Sequence, residues 1–128
     1  MTFPEERRLQ RSEDPLVALH YQLARTRREG RFDAVVVADD AGLVVAGAGG
    51  LAVCEELAAY APLIAQGLWK DPFLGPASRV SALRSEVDVH SVHVEGQIVL
   101  LCARGGEAGS SAMTQAVSGV ARILTRAA

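Results

Sequence analysis

Hydrophobic positions recur along this chain with two different periods, and the switches between them mark out its elements. From Asp14-Pro15 onward the apolar residues Leu16, Leu19 and Leu23 fall at helical spacing, with His20 and Ala24 alongside. Asp14 can accept from the free amides of a first turn, and Pro15 at the first helical position gives up no hydrogen bond. Arg25, Arg27 and Arg28 suit the negative end of the helix dipole, and Gly30 is expected to stop the helix. The period then shortens. DAVVVA at 33–38 and LVVAGA at 43–48 read as strands of a hairpin, joined through Asp39-Asp40-Ala41-Gly42, where Gly42 is free to take positive φ. The consecutive Val35, Val36 and Val37 predict a strand covered on both faces.

Helical spacing returns over 51–68 through Val53, Cys54, Leu57, Ala61, Ile64 and Leu68. Pro62 lies inside this run and is expected to kink the helix or divide it into two pieces. WKDPFLGPAS at 69–78 reads as a loop. Three strand signals follow at 79–84, 87–94 and 97–103, the last two separated by Glu95-Gly96, a two-residue hairpin turn. After Arg104-Gly105-Gly106 a closing helix is expected over 111–126, capped by Ser110 or Ser111. Met113, Val117, Val120 and Leu124 form its apolar side, and Arg122 and Arg126 lie on its exposed side. Residues 1–13 mix both charges without an apolar stripe and read as a flexible lead-in to a domain over 14–128.

The predicted order is α-β-β-α-β-β-β-α. A hairpin and a three-strand meander imply an α+β fold with a five-stranded antiparallel sheet, and three amphipathic helices need both faces of that sheet to bury their stripes. Composition narrows the function. The 128 residues are 49% hydrophobic and 22% charged, ordinary for one globular domain. A net charge of -2 excludes a generally basic nucleic-acid binder. No apolar run reaches the roughly 18 residues of a membrane span, and MTFPEERRLQRSEDP has no apolar core of a secretory leader, so a cytoplasmic protein is expected. Cys54 and Cys102 are too few for a disulfide scaffold or a cysteine-only zinc site.

Candidate chemistry is sparse. Gly47-Ala48-Gly49-Gly50-Leu51-Ala52 has the form of a dinucleotide-binding turn between strand and helix. A dinucleotide fold also wants a parallel strand after the helix, with an acid at its end, whereas WKDPFLGPAS follows here. The simpler reading is a sharp strand-to-helix turn; the alternative is a small-molecule or nucleotide sensor built on Gly47–Gly50. His90 and His93 have the spacing of a metal pair on a helix, but on a strand that odd separation sends them to opposite faces. Cys54 and Cys102 sit in apolar contexts without an adjacent base. Asp39-Asp40 belongs to a turn and Glu55-Glu56 to the first turn of a helix. An anionic or peptide partner could dock near Arg25, Arg27, Arg28 and Arg31, although a solvated face explains the same residues. No catalytic, metal or cofactor set emerges, so a protein working through surfaces is expected. Strand 79–84 opens the meander and could be an exposed edge. The helix over 51–68 carries Ala52, Ala59 and Leu63 beyond its core stripe, which is too much apolar surface for a solvent-facing helix.

This succession of a leading helix, the hairpin DAVVVADDAGLVVAGAG, the acidic-headed helix CEELAAYAPLIAQGL, a meander and a closing helix resembles the Roadblock family of the dynein light-chain type, with a Roadblock/profilin-like fold. The likeness covers residues 14–127 and is most specific over 33–63. It implies one helix on one face of the sheet and two on the other. It also implies a homodimer, or a heterodimer with a Roadblock paralogue, paired along Arg79, Val80, Ser81, Ala82, Leu83 and Arg84. The second helix, with Ala52, Glu55, Glu56, Ala59, Leu63 and Gln66, would then bind the partner. Bacterial members of the MglB and MglC type are regulators that act with a Ras-like small GTPase in polarity and gliding motility, and others are scaffolds. The resemblance therefore implies a non-enzymatic regulator or adaptor, with no nucleic-acid or membrane partner.

Overall fold

A computed structural model gives the fold and describes residues 14–67, 86–106 and 111–127. Three helices, α1 (Pro15–Gly30), α2 (Leu51–Ala65) and α3 (Ala112–Ala127), accompany four strands, β1 (Phe32–Ala38), β2 (Val44–Ala48), β3 (Val87–Val94) and β4 (Gln97–Gly105). The order is α-β-β-α-β-β-α, and the strands form one antiparallel sheet in the order β2-β1-β4-β3. This corrects the expected five-stranded sheet and its α-β-β-α-β-β-β-α order. The strand expected at 79–84 lies outside the described residues, as do the lead-in at 1–13, the loop core and Ser110.

The two faces of the sheet carry separate cores. On one, α1 and α3 cover Phe32, Val35, Val37, Leu101 and Ala103 with Leu19, Leu23, Met113, Ala116 and Val120. On the other, α2 covers Ala34, Val36, Ala38, Leu100 and Cys102 with Cys54, Leu57, Ala58 and Ala61. The valine triplet thus divides between both faces, as its lack of alternation requires. Phe32 does not follow simple alternation with Ala34. The β1–β4 register shifts between them, and the extra residue, Asp33, lets Phe32 join the α1/α3 face.

Local chemistry explains the boundaries. Asp14 Oδ1 accepts from Val17 N at 3.2 Å and starts α1. It ends at Gly30 as expected, but Arg31 and not the glycine takes the left-handed conformation (φ 57, ψ 37), and its N–H reaches Arg27 O. Gly30 is buried because the Phe32 ring lies where its Cβ would stand. In the β1–β2 turn, Asp39 Oδ1 accepts from Ala41 N and Leu43 N, both at 2.9 Å. Glu95 (φ 53) and Gly96 (φ 79) form a two-residue hairpin turn with both φ values positive. Pro62 neither divides nor ends α2. It sits in the last turn, where Gln66 N still bonds to Pro62 O at 3.1 Å. Among the described residues no helix is long and apolar enough to cross a membrane.

Candidate functional site

The outer face of α2 is the first candidate surface. Ala52, Glu55, Glu56, Ala59, Leu63 and Gln66 follow one another at helical spacing, opposite the buried Cys54, Leu57, Ala58 and Ala61. Small and apolar side chains run along the middle of this face, with Glu55 and Glu56 on either flank. Ala52, Glu55, Ala59 and Gln66 are exposed, and Glu56 and Leu63 are half-buried. Leu51, at the start of the helix, is 71% exposed. The β1–β2 turn adds to this surface. Gly42 backs onto α2, where a Cβ would stand 3.4 Å from Ala59 Cα, and Leu43 beside it is 65% exposed. The predicted pairing segment Arg79–Arg84 lies outside the described residues.

The glycine turn has a steric explanation. Gly49 adopts φ +117, and a Cβ there would stand 2.8 Å from Asp33 O and 2.9 Å from Ala34 Cβ. A Cβ on Gly47 would come within 3.0 Å of Cys54 Sγ. These glycines let the β2–α2 connection lie against β1 and bring α2 down onto the sheet. Every strand pairing described is antiparallel, so the turn does not belong to a dinucleotide-binding βαβ unit.

Beside this turn runs an open groove of about 860 Å³. The outer ridge of α1 contributes His20, Tyr21, Arg27 and Arg28, Arg31 follows at the helix end, and Gly49 lines the opposite side. Two hydrogen bonds fix its geometry. His20 Nδ1 donates to Gly47 O at 3.0 Å, and Arg27 Nε donates to Asp33 O at 2.9 Å. Of the arginines singled out in the sequence, Arg27, Arg28 and Arg31 come together here. Arg25 does not: its Nε bonds Glu29 Oε1 at 2.9 Å one turn along the helix. His20 and Tyr21 were not grouped with the arginines in the sequence, although residues 20, 24, 27, 28 and 31 share a helical face.

The remaining candidates separate. His90 pairs in register with Leu101 and His93 with Ile98, on opposite faces of β3. His90 Nε2 lies 3.0 Å from Asp88 Oδ2. Among the described residues no three His, Cys, Asp or Glu side chains are placed to share a metal ion. Both cysteines are buried under α2. Burial raises the Cys54 thiol, with Arg27 opposing. Burial, and behind it Asp88 and Cys54, pushes the Cys102 thiol up to about 12. Neither is a ready thiolate nucleophile.

No protein-family model and no curated protein matches the sequence. Among solved structures, Myxococcus xanthus MglB is similar over 100% of this chain and 96% of that one, with a TM-score of 0.58 and 13% sequence identity. The chain therefore has a Roadblock-like fold.

Proposed function

We propose that this protein is a non-enzymatic Roadblock-type regulator or adaptor that works as a dimer and binds a Ras-like small GTPase, in cell polarity or gliding motility. The observation that carries this reading is the likeness to MglB along the whole chain. The outer face of α2 supports it. A helix that buries one side against the sheet and still presents Leu51, Ala52 and Ala59 to water is built for a second contact. In this reading a homodimer or a paralogue covers part of that face, and the GTPase meets the completed surface.

Size-exclusion chromatography with light scattering tests the dimer. The wild-type chain is expected to run as a dimer and the Ala59→Glu variant, which changes only an exposed position, as a folded monomer. A wild-type monomer at high micromolar concentration overturns the dimer. Capture of a purified Ras-like GTPase by the wild type and not by Ala59→Glu is the corresponding test of the partner.

A further inference from the structure

The groove between α1 and the β2–α2 turn is separate from the outer face of α2 and has a chemistry of its own. Its volume, about 860 Å³, falls in the roughly 300–1,000 Å³ range of small-molecule sites. Among the described residues its lining contains three arginines and a histidine and no carboxylate. Two described acids nearby are turned to other tasks. Glu29 holds Arg25, and the Asp33 carboxylate lies toward Gly105, where a Cβ would stand 3.1 Å from Asp33 Oδ2. Among the described residues Arg28 has no ion-pair partner, and Arg27 engages only its Nε, leaving its terminal N–H groups for a ligand. Guanidinium forks match the oxygens of phosphate in pairs, which a fully hydrated surface charge does not need.

Two further features fit a particular kind of anion. Tyr21 is 75% exposed on the groove wall and presents an amphipathic ring there. Opposite, the main chain of Gly47 and Gly49 lines the groove. The His20–Gly47 bond ties α1 to that turn and holds the two walls in place. We propose that this groove binds a phosphorylated small molecule of nucleotide size, its phosphates between Arg27 and Arg28 and its flat ring on Tyr21.

The test is a titration of the ¹⁵N-labelled full chain with ATP, and separately with adenosine, followed by amide chemical shifts. ATP is expected to give saturable shifts at residues 27–31 and 47–50, and adenosine none. Arg28→Glu should weaken ATP binding by about tenfold or more, as for a lost charge-assisted contact. Tyr21→Ala should weaken it about fivefold, as for a lost stacking platform. Arg122→Glu makes the same charge change on the exposed side of α3 and should leave affinity within about twofold. All three positions are exposed, so the variants keep the wild-type spectrum elsewhere. The proposal is overturned if shifts do not saturate by about 10 mM ATP. It is equally overturned if Arg122→Glu weakens binding as much as Arg28→Glu.

Discussion

The two faces of the sheet solve the same problem with different materials. Beneath α1 and α3 the core is made mostly of larger side chains: Leu19, Leu23, Phe32, Leu101, Met113 and five valines, with four alanines among them. Beneath α2 it is made chiefly of small ones, with Ala34, Ala38, Cys54, Ala58, Ala61 and Cys102 around Val36, Leu57 and Leu100. Large residues hold two helices at a distance and need interdigitation. Small ones let a single helix settle close to the strands, with glycines at 42, 47 and 49 clearing its approach. Among the described residues α1 and α3 share one face of the sheet, and α2 covers the other.

The largest effect should come from emptying the large-residue face. Leu23 is fully buried between α1 and the sheet, and Leu23→Ala should lower unfolding stability by about 3 kcal/mol, read as a fall in the urea midpoint. The small-residue face should fail in the opposite direction, by overfilling. Ala58 is fully buried, and Ala58→Leu should cost about 2 kcal/mol in the same assay. If that substitution is neutral, α2 is not closely seated and the contrast breaks.

The third effect, the smallest at neutral pH, sharpens the comparison through pH. Cys102 has an ordinary pKa of 9.0 and a folded one near 12. A pKa raised in the folded state means that the full contribution to stability is present below pH 9 and is lost as pH rises toward 12. Wild-type stability should therefore fall across that window by up to about tenfold in the folding equilibrium per pH unit from this group. Cys102→Ala should remove that component of the slope while costing about 1 kcal/mol at neutral pH. An identical slope in both proteins would show that the thiol is not held away from water.

Much of this was legible in the residues. Asp14-Pro15, Asp39 with Gly42, and Glu95-Gly96 encode their turns and caps by local chemistry, which needs no knowledge of the rest of the chain. The valine triplet announced a strand covered on both sides. What local reasoning missed depends on contacts between distant residues. Gly30 ends α1 as expected, but its missing side chain accommodates the Phe32 ring, and Arg31 takes the strained conformation instead. Pro62 looked like a break, yet α2 runs through it and ends three residues later, at Ala65. The arginine cluster was visible as a count, but only the packing of α1 on the glycine turn shows which three converge and that Arg25 is turned aside to Glu29. The outer stripe of α2 was legible as a helical face because its spacing is regular. The five-strand expectation rested on RVSALR, which lies outside the described residues.

The extra residue at Asp33 has a consequence for which way Phe32 faces. Everything before it and everything after it in β1 is assigned to a face by counting residues, and Asp33 is where the count is reset. Were β1 regular with Asp33 kept, two-residue alternation would set Phe32 on the face of Ala34, toward α2 and its layer of small residues; the bulge at Asp33 keeps it on the α1/α3 side. What β1 depends on here is the bulge itself: Asp33 matters as a place in the count more than as an acid.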